Sequence, residues 1–182
     1  MGVAVVDLKS LEKVAIRKAR PEDAEILVGL MKELAAEPNI YLPYTVEEAD
    51  VPLEKQQKCI ENYNSTNSMY IVAEVPEPRP RVIAELSCWG EPLEYSRHVT
   101  SLGMNVQREW RNLGVGSELM KRAIAWAQGT NLVTRVELEV YALNKPAIHL
   151  YEKFGFQIEG CKRRLVYQRG EYHDMLIMAL LI

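Results

Sequence analysis

From residue 111 the chain reads Arg111-Asn112-Leu113-Gly114-Val115-Gly116-Ser117, with two closely spaced glycines at the start of an amphipathic run. A strand, a glycine turn and then a helix present free backbone N–H groups to an anion. The first helical turn has donors without intrahelical acceptors and carries partial positive charge. Glycine lets a bulky phosphate reach that backbone without meeting a Cβ. Arg111 can add a full charge beside it. A P-loop needs Gly-Lys-Ser/Thr at the helix start, where this chain has Gly116-Ser117-Glu118. A dinucleotide fingerprint needs a third glycine where Leu119 stands, so both of these readings fail. Taken alone, the turn can also be a glycine-softened helix start with no ligand.

The turn fits the pattern R/Q-x-x-G-x-G/A, and residues Val106-Gln107-Arg108-Glu109-Trp110-Arg111 through Gly116 resemble the strand-to-helix signature of the GNAT acetyltransferase superfamily. Asn112 stands where members usually carry a basic residue or glycine. The stretch from Leu138-Glu139-Val140-Tyr141 through Asn144-Lys145-Pro146-Ala147-Ile148-His149-Leu150-Tyr151 to Gly155-Phe156 is similar to the family segment leading from the fifth strand into the helix along coenzyme A. The similarity continues through Glu159-Gly160 and residues 170–174. It covers residues 98–182 by motif and residues 14–97 mainly by element order.

This resemblance implies acetyl-coenzyme A as co-substrate. Its pyrophosphate would lie on Arg111, Asn112, Leu113, Gly114, Val115, Gly116 and Ser117, and its pantetheine arm along Asn144 and Ala147. Backbone N–H groups of Met104, Asn105 and Val106, on a bulged strand that splays from its neighbour, would stabilise the acetyl carbonyl. Tyr151 matches the tyrosine that protonates the departing thiolate. Glu139 matches a glutamate that some members use as base, directly or through water.

Each role has a plainer alternative. Asn144 is a favoured N-cap, Tyr151 can be a core aromatic, and Glu139 shares a polar strand face with Glu137 and Tyr141. Tyr151 lies two helical turns beyond Asn144 and so on nearly the same face. A thiol has a pKa of ~8.5 and a phenol ~10, so proton transfer between them costs only about 2 kcal/mol. A base is required because lysine-type amines (pKa ~10.4) and α-amines (~8) are protonated near neutral pH. Glu33, Glu37 and Tyr44 are further candidates to line a substrate cleft, and Asp174 for amine recognition or structural hydrogen bonding. His98, His149 and His173 share no metal-ligand spacing, and no metal is expected. Cys59, Cys88 and Cys161 form no CxxC pair and read as free thiols. None lies in either motif, which favours direct attack by the amine over an acyl-enzyme.

The elements that must hold these residues follow from periodicity. Residues 14–19 alternate as a strand, and a helix begins at Pro21-Glu22-Asp23 and stops at Pro38-Asn39. The stretch 40–52, with two prolines and two tyrosines, reads as a loop over a cleft. A polar helix over 53–63 closes at Asn64-Ser65. Residues 69–75 and 81–89 read as a hairpin joined by Pro76-Glu77-Pro78-Arg79-Pro80. A fourth strand covers 98–106. Val115, Leu119, Ala123 and Ala127 mark a helix ending at Gly129. A strand over 133–141, a helix over 144–154 and strands over 156–165 and 173–181 complete the chain. The order predicts a mixed α/β sheet with helices on both faces, and the family resemblance implies the GNAT acyl-CoA N-acyltransferase fold with about seven strands. Residues 1–13 read as an N-terminal extension and 14–182 as a single acetyltransferase domain.

With 182 residues, 48% hydrophobic and a net charge of -3, the chain has the balance of a globular protein. Its scattered Lys and Arg build no nucleic-acid-binding stripe. The start lacks a basic signal region, Val6 stands where a myristoylation signal needs Ser or Thr, and residues 175–182 are too short to span a bilayer. No membrane partner is expected, and a cytoplasmic location follows by default. The expected activity is acetyl transfer from acetyl-CoA to a primary amine of a small amine, an amino acid or a protein N-terminus. The alternative is a non-catalytic acyl-CoA-binding module. The apolar final strand either offers an edge for a homodimer or lies centrally in the sheet.

Overall fold

In the computed structural model, which describes residues 2–8, 13–38, 40–63, 67–76, 80–90 and 92–182, the chain runs β1 (Ala4–Asp7), β2 (Lys13–Lys18), α1 (Ala24–Ala36), α2 (Val46–Ala49), α3 (Leu53–Asn62), β3 (Met69–Val75), β4 (Arg81–Gly90), β5 (Val99–Val106), α4 (Val115–Gly129), β6 (Arg135–Tyr141), α5 (Lys145–Lys153), β7 (Gln157–Gln168) and β8 (Glu171–Leu181). The strands form one eight-stranded sheet in the order β1-β2-β3-β4-β5-β6-β8-β7. Every neighbouring pair is antiparallel except β5 with β6.

The mixed α/β architecture is the expected one, with eight strands rather than about seven. The added strand, β1, lies within the expected extension and pairs with β2 from Ala4↔Ile16 to Asp7↔Lys13. Its short Ala-Val-Val-Asp run gave no clear alternation. The stretch 40–52 also contains α2, whose start is a capping box: Glu48 N–H donates to Thr45 Oγ1 (3.3 Å) and Thr45 N–H donates to Glu48 Oε2 (2.7 Å). The Thr-x-x-Glu spacing was present in the sequence. The helix stop at Asn39, the Asn64-Ser65 closure and residues 77–79 of the proline connection lie outside the described residues. The final strand is central: β8 sits between β6 and β7, which explains its apolarity and removes it as a free edge for a homodimer. Among the described residues, no helix is long and apolar enough to cross a membrane.

Apolar periodicity fixes how the helices cover the sheet. On one face, Leu27, Leu30 and Leu34 of α1 and Ile60 of α3 pack on Tyr70, Val72 and Val82. On the other, Leu119, Met120 and Ala123 of α4 with Ile148 and Tyr151 of α5 pack on Ile71, Ile83, Leu86 and Leu138. At the entry to α1, the buried Asp23 accepts from Arg17 (2.7 and 2.8 Å) and from the backbone N–H of Arg20 (2.7 Å). Burial pushes the Asp23 carboxyl up, but these bonds outweigh it and hold it below the usual range.

The feature that creates a site is the junction of β5 and β6. Their ladder covers only Val99↔Arg135, Thr100↔Val136 and Ser101↔Glu137. Beyond it, β5 continues to Val106 paired only with β4, while β6 continues to Tyr141 paired only with β8. The strands part, and the inner edges of residues 102–106 and 138–141 face a gap. Backbone polar groups there need a partner from outside the ladder.

Candidate active site

The gap opens into a cleft of about 1470 Å³ that reaches both faces of the sheet. On the α4–α5 face its rim is the glycine turn. Gly114 has φ 106° and Asn112 φ 63°, both in the left-handed region. A Cβ on Gly114 would meet nothing within 4 Å, so this glycine is required by conformation alone. Asn is the non-glycine residue best suited to such a backbone, so Asn112 fits the turn despite its departure from the family pattern. At Gly116 the constraint is space, since a Cβ there would lie 3.2 Å from Leu150 Cδ2 and 3.4 Å from Met104 Cε. Gly116 thus brings α4 against α5 and β5. The first bond of α4 runs from Glu118 N–H to the Gly114 carbonyl (3.0 Å), leaving the N–H groups of Val115, Gly116 and Ser117 at the open helix start. The open helix start is a cradle of backbone donors.

Arg111 is not free beside that cradle. Its Nε donates to the Val106 carbonyl (2.9 Å), and its two terminal nitrogens donate to Glu37 (2.8 and 2.9 Å). The guanidinium ties the turn to the end of β5 and to the C-terminus of α1 through a bidentate pair. Glu37, expected as a cleft residue, has this anchoring position instead. Glu33 accepts from Gln107 Nε2 (2.9 Å).

Asn144 caps α5, its Oδ1 accepting from Ala147 N–H (3.3 Å), and it also lines the cleft. The two readings of this residue are compatible in one geometry. Ala147 and Tyr151 line the same cleft. Tyr151 is 7% exposed and its ring lies 5.8 Å from that of Phe156. Burial pushes its phenol up to about 12. Protonating a thiolate of pKa ~8.5 from such a phenol costs about 5 kcal/mol rather than about 2, unless the thiol is raised by the same burial.

On the opposite face, the polar side of β6 divides. Glu137 pairs with Arg135 (2.9 Å) and Glu139 with Lys162. Glu139 is about as exposed as a surface residue, with 41% of its side chain accessible. Tyr141, which the alternation grouped with these glutamates, is 2% exposed and donates from its hydroxyl to the Leu42 carbonyl (2.9 Å). It does so because the 40–44 segment closes over the end of β6. Gln168 Nε2 also donates to Leu42 (3.2 Å), and Arg169 donates to the Glu37 carbonyl (3.0 Å). The α1–α2 connection is therefore a strap tied to the glycine turn, to β6 and to the β7–β8 hairpin.

Asp174 accepts from Arg164 N–H (2.8 Å), where Arg164 has φ 54°, so it has the structural role of holding the irregular part of β7. The His173 ring stacks at a tilt on Tyr141, His149 lines the cleft, and the His98 carbonyl accepts from Thr134 and Arg135. Met104, Asn105 and Val106 occupy the end of β5 that pairs with β4 alone, past the last pair with β6.

A cleft residue that periodicity missed is Glu85. It sits in β4 opposite Asn105 and is 5% exposed. Asn105 Nδ2 donates to its Oε1 at 2.6 Å, while Oε2 is buried without a hydrogen-bond partner. Burial pushes this carboxyl up to about 7, against the opposing pull of Asn105 and Tyr70. The signal in the sequence was a lone acid inside the apolar run Val82-Ile83-Ala84-Glu85-Leu86.

Comparison with known proteins agrees with this geometry. The model of the acetyltransferase (GNAT) family matches residues 31–156. Over 82 residues the chain is 42% identical to the L-amino acid N-acetyltransferase AaaT of Escherichia coli (strain K12), covering 45% of this chain and 51% of that protein. The chain thus matches about half the length of that relative. The acetyltransferase of the GNAT family from Streptococcus pneumoniae superposes with a TM-score of 0.87 at 27% identity, covering 93% of this chain and 99% of that one. The yncA protein of Salmonella typhimurium, solved with its cofactor acetyl-CoA, shares the fold with a TM-score of 0.80 at 16% identity, covering 92% of this chain and 93% of that one. With the parted strands, the glycine turn and the family match all falling in the same segment, the chain belongs to the acetyltransferase (GNAT) family.

Proposed function

We propose that the protein is an acetyl-CoA-dependent N-acetyltransferase acting on a primary amine of about amino-acid size. The observation that carries this reading is the gap between β5 and β6, flanked by the α4 cradle at one end and by Asn144 and Tyr151 along its side. Residues 112–117 fit a pyrophosphate, because Gly114 and Gly116 leave backbone N–H groups open where a side chain would obstruct them, and Arg111 braces the turn through Glu37. Asn144 and Ala147 would line the pantetheine arm. When bound, acetyl-CoA supplies an activated acetyl thioester. The inner edge of Met104, Asn105 and Val106 offers backbone donors toward the carbonyl oxygen, and Tyr151 holds the proton that the departing sulfur needs.

The strap at 40–44 supports a small acceptor. It is fixed to β6 through Tyr141 and to the β7–β8 hairpin through Gln168, so it covers the acceptor side. The activity named for the Escherichia coli relative, on L-amino acids, points the same way.

Thiol release from acetyl-CoA over a panel of simple amines, L-amino acids and N-terminal peptides tests this reading. The expected result is turnover on amines or amino acids and little on peptides. Tight acetyl-CoA binding with no turnover on any acceptor would leave a binding module instead.

A further inference from the structure

Of the two buried carboxyls among the described residues, Asp23 lies against Arg17, whereas Glu85 has no cation beside it. An isolated buried carboxylate is costly unless something compensates it. Glu85 is placed where the fold gains least from it, in a strand with Val82, Ile83, Ala84 and Leu86 all buried. Around it stand Tyr44 from the strap, Cys59 from α3, Tyr63 at the C-terminal cap of α3 and Tyr70 from β3. The field of Glu85 reaches all four groups, each of which burial pushes up and keeps neutral. From α1 the cleft is lined by the apolar Met31 and Leu34. The result is a neutral, largely aromatic chamber with one acid in its wall, opening into the cleft beside Asn105.

We infer that Glu85 receives the primary ammonium group of the acceptor on Oε2 and takes a proton from it, with Asn105 holding Oε1 and the rings of Tyr44, Tyr63 and Tyr70 enclosing the charge. This rests on the acetyltransferase reading and gives it a base and a substrate class: a primary amine that arrives as its cation. Aromatic faces favour a cation in a dry site. The carboxyl that burial brings to about 7 is poised to exchange a proton near neutral pH.

One N–H bond of the ammonium breaks and its proton passes to Glu85, leaving a lone pair on nitrogen. The C–N bond forms at the acetyl carbonyl, and the C–S bond breaks with its electron pair on sulfur. Sulfur gains a proton from Tyr151, and the second proton lost by nitrogen restores the Tyr151 hydroxyl. The products are amide and thiol, and Glu85 releases one proton to solvent. Glu139, exposed and paired with Lys162, is not needed as the base.

The test compares the wild type with Glu85→Gln and Glu85→Asp. In protein free of acetyl-CoA, calorimetry with n-butylamine and glycinamide should show binding that weakens as pH falls below about 7, and Glu85→Gln should lose about 10-fold or more in affinity together with that pH dependence. In turnover, Glu85→Gln should lower kcat/KM by about 100-fold or more and remove the acidic limb near 7, with Glu85→Asp intermediate. Glu85→Gln should also melt at a higher temperature than wild type at pH 8, with the gap closing toward pH 4.5. Wild-type affinity and kcat/KM in Glu85→Gln would overturn the proposal and leave a structural carboxyl. Absence of turnover by wild type on every amine would instead sink the acetyltransferase reading, and the binding and melting comparisons would still decide the place of Glu85.

Discussion

The side of the cleft proposed for acetyl-CoA comes from two contiguous segments, residues 104–117 and 138–151, whereas the proposed acceptor side is gathered from the strap at 40–44, α3, β3, β4 and β6. The first side works through backbone: a left-handed Gly114, a close-packed Gly116 and the open N–H groups of α4. Backbone requirements restrict residue type at each position and so leave a pattern. The second side works through side chains brought together across long sequence separations, such as Tyr141 with Leu42 and Glu85 with Asn105. Any one of those residues looks ordinary in its own segment. The two sides also treat stability differently. On the donor side Arg111 and Asn144 brace the turn and the start of α5 by hydrogen bonds, while the acceptor side retains a buried acid with an unpartnered oxygen.

That contrast can be broken from either side. Beside the loss expected for Glu85→Gln, the largest effect is at Tyr151: Tyr151→Phe should lower kcat by about 100-fold while acetyl-CoA affinity, read by calorimetry, stays within about twofold. Unchanged kcat would reduce Tyr151 to a core aromatic. Gly116→Val should follow, because its Cβ would press on Leu150 and Met104 and close the cradle. Overpacking of this kind costs about 1–3 kcal/mol, so acetyl-CoA affinity should fall by about 10-fold or more, with the amine affinity of the free protein kept.

For Glu85→Gln, the change in stability follows from the displaced titration. Unfolded, Glu85 ionises near 4.5; folded, near 7. Between those values the native state holds the extra proton, so wild-type stability is complete below 4.5 and falls as pH rises through about 7. The amide removes that loss, and denaturant unfolding at pH 8 should show a gain of up to about 3 kcal/mol. A destabilised Glu85→Gln protein would mean that the carboxylate is part of the scaffold. Glu37→Gln, which loosens the tie between strap and glycine turn, should cost about 1 kcal/mol and raise both KM values about fivefold. A change in only one KM would show that the two sides are not coupled through Arg111. The smallest effect belongs to Glu139→Gln, since an exposed ion pair contributes at most about 1 kcal/mol, and kcat/KM should stay within about twofold. A loss of about 100-fold would return the role of base to Glu139.

Legibility followed the same division. The alternation of Val136, Leu138 and Val140 and the four-residue steps of α4 placed their strand and helix closely, because each element buries one face on a continuous core. The same alternation put Tyr141 with the solvated glutamates, and it failed there because the strap covers the end of β6. Glu139 drew attention through its place in the family-like segment, a one-dimensional relation. Glu85 had no such neighbour and is defined by enclosure, which a single strand does not reveal. The loop reading of 40–52 was right about its place over the cleft and missed α2, although the Thr45 and Glu48 capping box was available.

By itself, then, the amino-acid sequence determined the order of the elements from β2 onward except α2, the apolar faces, the glycine turn and the capped helix that carries Tyr151. These depend on local backbone chemistry and short periodicities. Tertiary structure decided where β5 and β6 part, that β8 is central, that Arg111 belongs to Glu37, and that a carboxyl in β4 stands alone among three tyrosines. Those facts depend on burial and on which distant segments share a boundary. Burial is a property of the assembled core, and a proton affinity or an unpartnered oxygen exists only once that core has closed around it.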